Sequence, residues 1–310
     1  MSVADDVLAR RFTEQRAHLL GVAYRLTGTL ADAEDAVQEA WLRLAGLRPA
    51  DRDGIRELRA WLTTVVSRIC LDRLRSSAAQ RERYVGPWLP EPVVTPLPGQ
   101  PGEDPLEVVV RDDGLRMAAM VVLDRLPPEQ RVSFVLHDAF GLPFAEIAEV
   151  LGCEVAAARQ HASRGRRAVA EADPPPRESL DQQRAVLERF LAALSAGDVD
   201  AVVQLLHPDV TLVGDGGGKT KTALRTIRGA EKVTRFLFGL LRRYGTAPQA
   251  AGHPALVNGD LGLVLPESPG DDEHVPMSRR VNAFAIRDGR IAAIYDVVNP
   301  DKLTRTTFPG

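Results

Sequence analysis

The apolar positions of this chain change their spacing twice, and each change coincides with a stretch rich in proline. Over residues 1–83 they follow a helical period. In ADAEDAVQEAWLRL, Val37, Ala40, Trp41 and Leu44 fall at i, i+3, i+4 and i+7, while Asp35, Gln38 and Glu39 share the opposite face. A later helix is predicted from Ala60 to about Ser76, with Leu62, Val65, Val66 and Ile69 turned inward and Arg68, Asp72, Arg73 and Arg75 outward. The run YVGPWLPEPVVTPLPGQPGEDP then forbids regular helix, because proline lacks the N–H and its ring clashes with the preceding turn. Residues 84–110 therefore read as a linker.

A second helical block spans 111–172 and stops at Ala172-Asp173-Pro174-Pro175-Pro176, which opens a short linker over 173–179. Within LPFAEIAEVLGCEVAAARQHASRGRRAV, the stripe Ile147, Val150 and Leu151 predicts one helix. Gly152 marks a tight turn, and a second helix starts near Glu154, the helix-turn-helix pattern. That second helix places Arg159, Ser163 and Arg166 on one line and Gln160, Arg164 and Arg167 on the next, a face able to enter a major groove. From Leu180 the pattern becomes mixed. Leu187, Phe190, Leu191 and Leu194 form one helical stripe, and Val233, Phe236, Leu237, Leu240 and Leu241 another. Asn258-Gly259 and Asp288-Gly289 each sit between apolar runs as hairpin turns. Residues 180–306 are predicted to be an α+β domain.

Composition narrows this picture. A chain of 310 residues exceeds what one core usually holds, and 45% hydrophobic residues suit globular domains. There is no apolar run of about eighteen residues and the first residues are charged, so neither a membrane span nor a signal peptide is predicted and a cytoplasmic protein is expected. Cys70 and Cys153 lie far apart, each within a helix-like pattern, which argues for buried thiols and against a disulfide framework or a zinc site. No metal or cofactor is expected. A formal charge of −3 does not suit a protein that grips duplex DNA over its whole surface. It suits one whose larger partner supplies most of the phosphate binding, with local basic helices reading the DNA.

YRLTGTLADAED and RAWLTTVVSRICLDRLRS resemble the second conserved region of extracytoplasmic-function sigma factors, which work in that way. The resemblance implies that the acidic helix bearing Asp32, Asp35, Gln38, Glu39 and Trp41 docks on the β′ clamp helices of core RNA polymerase. It also implies that the helix bearing Arg68, Asp72, Arg73 and Arg75 faces the promoter −10 element, with the loop from about Ala45 to Leu58 capturing a flipped base. LDRLPPEQRVSFVLHDAFGLPFAEIAEVLG and the helix-turn-helix after it resemble region 4 of the same family. This implies contacts with the β flap and, through Arg159, Gln160, Ser163, Arg164 and Arg167, with the −35 element. Many members carry Thr-Val where this chain has Ala156-Ala157-Ala158, so individual base contacts do not transfer.

The third block resembles the SnoaL-like group of the NTF2-like superfamily, a curved sheet wrapped with helices around a conical cavity. The expected fold is therefore multidomain: two all-α sigma domains, the second with a helix-turn-helix, followed by an α+β NTF2-like/SnoaL-like cone. Trp88-Leu89-Pro90-Glu91-Pro92, Asp215-Gly216-Gly217-Gly218-Lys219 and Asn299-Pro300-Asp301-Lys302-Leu303 resemble motifs of the SigJ-like sub-group. There the fused domain is thought to take the place of a separate anti-sigma protein. Trp88 and its prolines offer a stiff apolar anchor. The third domain is expected to contact the linker and both sigma domains and to shift a population between closed and polymerase-competent arrangements.

The triple glycine does not have the GxxxxGK[ST] spacing of a phosphate loop, and a flexible strand-end loop is the plain alternative. His207, Asp209, Asp215, His253 and Asp296 could serve acid–base chemistry, but no spacing among them singles out a pair. Each reads as a surface or capping residue, and no catalytic residue is assigned. Two competitors stand beside the sigma reading: a ligand-sensing helix-turn-helix regulator that needs no polymerase, and a SnoaL-type enzyme fused to a DNA-binding module. The expected partners are core RNA polymerase and promoter DNA, with no membrane. The cavity leaves room for an unidentified small ligand.

Overall fold

The computed structural model describes residues 3–81, 83–97 and 115–308. They form two compact units: residues 3–81, 115 and 119–174 make the first, and residues 83–97, 116–118 and 175–308 the second. Residues 98–114, which include the rest of the expected linker and the expected start of the second helical block, lie outside the described residues.

In the first unit, α1 (Val3–Thr27), α2 (Leu30–Ala45) and α4 (Leu58–Arg81) pack on one another. Thr29 starts α2 by accepting the Asp32 N–H on its hydroxyl, which in turn donates to the Asp32 carboxylate at 2.6 Å. The inward stripe of α2 (Ala33, Ala36, Val37, Ala40, Leu44) meets Leu19, Leu20 and Ala23 of α1 and Leu62, Val66 and Ile69 of α4, all buried. The expected loop from Ala45 to Leu58 contains a short helix, α3 (Pro49–Asp53), so it is only partly loop. A proline at the first helical position, where an N–H would be unpaired anyway, explains that turn.

The unit continues, from Ala119 on, with α5 (Met117–Asp124), α6 (Pro128–Phe134), a π-helical turn at Val135–Ala139, α7 (Phe144–Leu151) and α8 (Val155–Ala172). Gly152 closes α7 in the left-handed region, at φ 67°. Cys153 sits in this turn, half-buried, rather than inside a helix. At Gly165, α8 passes so close to α6 that a Cβ would lie 2.9 Å from Phe134 and 3.0 Å from the Gln130 carbonyl. Burial pushes the Cys70 thiol up to about 12, which makes it inert.

The second unit holds α9 (Leu180–Ala196), α10 (Val199–Leu205), β2 (Leu206–Asp215), β3 (Ile227–Arg228), α11 (Ala230–Tyr244), α12 (Ala247–Ala250), β4 (His253–Val257), β5 (Asp260–Leu265), β6 (Arg280–Arg287) and β7 (Arg290–Val297). A strand β1 (Val94–Thr95) completes the sheet order β1-β4-β5-β6-β7-β2-β3. Both hairpin turns form as the dipeptides predict, with Asn258, Gly259, Asp288 and Gly289 all at positive φ. Register shifts in β2–β7 and β6–β7 bend the sheet around its helices.

The proline-rich segment was expected to be a linker without regular helix. Val94 and Thr95 nevertheless pair antiparallel with Val257 and Leu256 of β4. An edge strand tolerates neighbouring prolines because the outer row of N–H groups has no partner to lose.

Candidate functional sites

On α2, Asp35 and Gln38 are exposed, Asp32 and Glu39 half-buried. Trp41 leans on Phe12 of α1, with ring centroids 5.1 Å apart. Arg73 of α4 donates to the Asp32 carbonyl at 3.0 Å. Its guanidinium stands 3.4, 3.7 and 3.9 Å from the carboxylates of Asp32, Asp35 and Glu39. Arg73 therefore belongs to the electrostatics of the acidic face and is turned away from Arg68 and Arg75, a pairing that the α4 period alone does not show.

Those two arginines meet the later helices of the same unit. Arg68 donates to the Glu149 carbonyl of α7 at 2.9 Å. Arg75 donates twice to Glu129 Oε1 of α6, at 3.1 and 3.0 Å. Burial raises the Glu129 pKa, but its backbone hydrogen bond and Arg75 outweigh that and hold it below the ordinary value. Asp72 faces solvent. Two of the four expected DNA contacts on α4 are thus engaged by the later helices while staying exposed.

Along α8, Arg159, Gln160, Ser163, Arg164 and Arg167 are all exposed. Arg167 pairs with Glu171 one turn on, at 2.7 Å, and Arg159 lies over the Phe144 ring, 5.7 Å from its centroid. Arg166 is tied to Asp138 at 2.7 Å, which removes it from the reading line.

In the second unit the three short motifs converge on one carboxylate. Asp215, at the end of β2, is fully buried. Its Oδ1 accepts the Tyr84 hydroxyl at 2.5 Å and the Gly217 N–H at 3.1 Å. Its Oδ2 accepts the Leu89 N–H at 2.8 Å and Lys302 Nζ at 2.7 Å. Lys302 Nζ also donates to the Leu89 carbonyl and sits 3.9 Å from the centroid of the Trp88 indole. Asn299 donates to the Tyr84 oxygen at 2.8 Å. Burial first, then the hydrogen bond and charge of Asp215, raise the Tyr84 pKa, so the phenol stays a donor.

The glycines of the loop are required by shape. A Cβ at Gly216 would lie 2.1 Å from the Thr220 carbonyl oxygen, and one at Gly217, where φ is 58°, 2.4 Å from the Asn299 amide. Lys219 is peripheral and forms an exposed pair with Asp301 at 2.6 Å. The loop is a fitted turn rather than a flexible strand end.

A second buried carboxylate fastens the other connections. Asp260, just after the Asn258-Gly259 turn, pairs with Arg116 at 2.7 Å, with side chains 5% and 7% exposed. It also accepts from Gln183 at 3.2 Å. Arg116 reaches the Pro175 carbonyl at 2.8 Å, and Arg177 lies 3.4 Å from Asp260. Tyr84, Arg116, Asp260 and Gln183 were not singled out by the sequence. The one cue was local: Tyr84 opens the same proline-rich run as Trp88, and Asp260 directly follows the hairpin turn.

The reading of the five acid–base candidates as surface or capping residues needs correction at two. Asp215 and Asp296 are buried, 0% and 4% exposed, because partners distant in sequence close over them. His207 is half-buried, Asp209 and His253 are exposed, and the five do not gather at one place.

Three family profiles match this chain: Sigma-70 region 2 over residues 12–80, Sigma-70 region 4 over 116–169 and a SnoaL-like domain over 187–294. The chain belongs to the extracytoplasmic-function RNA polymerase sigma factors and carries a SnoaL-like domain after the two sigma regions. It is 54% identical over 299 residues to the ECF RNA polymerase sigma factor SigJ of Mycobacterium tuberculosis, covering 94% of this chain and 92% of that one. It is 36% identical over 305 residues to the probable ECF sigma factor SigI of the same organism, covering 96% and 95%. The crystal structure of Mycobacterium tuberculosis SigJ superposes with a TM-score of 0.82 at 51% identity, covering 97% of this chain and all of that one. The expected fold class and family are those found. As a sigma factor, the chain directs core polymerase to promoters, and nothing favours a regulator that works without polymerase.

Proposed function

We propose that the SnoaL-like domain regulates this sigma factor in cis by holding the connecting segment 83–97 as a latch. The observation that carries the reading is the Asp215 carboxylate, which accepts from Tyr84, Leu89, Gly217 and Lys302 at once. A strand, a linker and the chain end are thereby joined through one buried charge.

Magnitudes indicate which contacts set the balance. The exposed pair Arg75–Glu129 is worth roughly 0.2–1 kcal/mol and is readily exchanged for phosphate. Removing one partner of a buried pair such as Asp215–Lys302 costs roughly 3–5 kcal/mol. About 1.4 kcal/mol changes a population ratio tenfold, so the latch dominates.

In this reading Asp32, Asp35, Gln38, Glu39 and Trp41 dock on the β′ clamp helices, with Arg73 orienting the carboxylates. Arg68, Asp72 and Arg75 meet the −10 element once the α6 and α7 contacts are exchanged for DNA. Region 4 engages the β flap, and Arg159, Gln160, Ser163, Arg164 and Arg167 engage the −35 element. In the same reading the protein works in the cytoplasm and the SnoaL-like domain regulates rather than catalyses; Asp215, with four structural donors, is not available as a general base. No described helix is long and apolar enough to cross a membrane.

Run-off transcription with core RNA polymerase on the chain's own upstream region tests this. The full chain should initiate, the Asp35→Ala/Glu39→Ala variant should not, and Asp215→Ala and Trp88→Ala should change the yield from an unchanged start site. A version ending near Ala172 reports the sign of the regulation. Unaltered transcription in Asp215→Ala, with residues 84–97 freed to protease, would refute the latch.

A further inference from the structure

The concave face of the sheet, with α9 and α11, encloses a cavity of about 80 Å³. It is separate from the latch, since neither Asp215 nor Lys302 lines it. Its walls are apolar, with Phe190, Leu212, Leu240 and Phe284 among them. Leu240 and its neighbours Leu237 and Leu241 are only half-buried, so α11 turns incompletely packed apolar surface toward the space.

Apart from Gln249 of α12 and the Tyr244 hydroxyl of α11, the polar groups lie on β6 and β7. Arg280 and Asn282 alternate onto the same face of β6, and Asn282 pairs with Asp296 across to β7. Both Asp296 oxygens have neutral donors: Oδ1 accepts Asn282 Nδ2 at 2.8 Å, and Oδ2 accepts the Thr222 hydroxyl at 2.7 Å. Arg280 reaches Asp296 only at 3.5 Å. Its side chain is 7% exposed, and its Nε has no hydrogen-bond partner. The Tyr244 ring, 5.8 Å from the guanidinium carbon, backs it without supplying an acceptor. A buried donor left unmet is costly, and the guanidinium fork matches a carboxylate.

We propose that this cavity is a binding site for a small monocarboxylate with a branched or cyclic apolar tail, the head on Arg280 and the tail between α11 and the sheet. An anion is favoured over a cation because the unmet group is a donor, while Asp296 is already supplied. At 10–15 Å³ for each water-sized sphere, the space takes roughly five to eight non-hydrogen atoms.

Titration calorimetry on the full chain tests the assignment with 4-methylpentanoate, the matching amide and the matching amine. The acid should bind at least about tenfold more tightly than the other two. Arg280→Gln should weaken it by a similar factor. Leu240→Trp, which fills the chamber and leaves Arg280 in place, should abolish binding even if the arginine variant fails to fold. Equal binding of acid and amide, preference for the amine, no binding at about 10 mM, or undiminished binding in Leu240→Trp would each overturn it.

Discussion

Several charged pairs differ sharply in burial between the two units, although the helical unit also buries Arg131 beside Asp124 and the second unit also exposes Lys219–Asp301. In the helical unit the pairs Arg43–Glu39 and Arg167–Glu171 lie at the surface, their side chains 41% to 81% exposed, and the acidic face of α2 is only loosely countered by Arg73. In the second unit Lys302–Asp215 and Arg116–Asp260 are no more than 7% exposed and surrounded by further hydrogen bonds. Surface pairs are cheap to exchange, salt-sensitive and suited to surrender to polymerase or DNA. Buried, saturated pairs act as fixed joints, because removing one member strands the other.

The largest expected break of this contrast is Asp215→Ala, which leaves the Lys302 ammonium buried. Denaturant unfolding should show the second unit weakened by roughly 3–5 kcal/mol, with amide exchange accelerated across residues 84–97 and unchanged in α1 and α2. Arg116→Met should cost less, about 2 kcal/mol, since Gln183 and Arg177 still reach Asp260; the same unfolding curves measure it. Glu129→Ala sharpens the comparison from the other side. It should shift the stability of the helical unit by only about 0.2–1 kcal/mol, an effect that fades in high salt.

A further effect is set by pH. Thr63 donates its hydroxyl to the Arg59 carbonyl at 2.8 Å, so His18 Nε2–H donates to Thr63 at 2.9 Å, and Nδ1 accepts from Arg59 at 2.9 Å. Burial, then Arg59 and Arg25, lower the His18 pKa from 6.5 to about 4. The unfolded chain therefore takes up the proton first. Stability is full above about 6.5 and declines as pH falls toward about 4, damped because the ring is half-exposed. The thermal midpoint of His18→Asn, followed over the same range, should lose part of this slope.

Much of the helical unit could be read from the chain because each helix carries its own period: Val37, Ala40 and Leu44 are legible without knowing what they touch. The hairpins were legible for a similar reason, since Asn258-Gly259 and Asp288-Gly289 specify their turns locally. Asp215 was named with its glycine motif, but its burial was not legible, because its partners Lys302 and Tyr84 lie 87 and 131 residues away and a carboxylate at a strand end reads as a surface group. Asp296 was misread in the same way. β1 was hidden by Pro90, Pro92 and Pro96, which argue against a strand everywhere except at an edge. The direction of Arg73 depends on how α4 crosses α2, which periodicity does not fix.

That edge strand has a consequence for the lifetime of any opened form. β1 covers the outer side of β4 through Val94 and Thr95, and the Asn258 N–H adds a bond of 2.8 Å to the Val93 carbonyl. A departing linker uncovers a row of backbone donors and acceptors, the template on which sheets of separate molecules zip together. If the proposed latch opens, the segment that lets go is also the one that guards this edge against self-association, so the released state is safe only while it is brief or while another surface shields the bared strand.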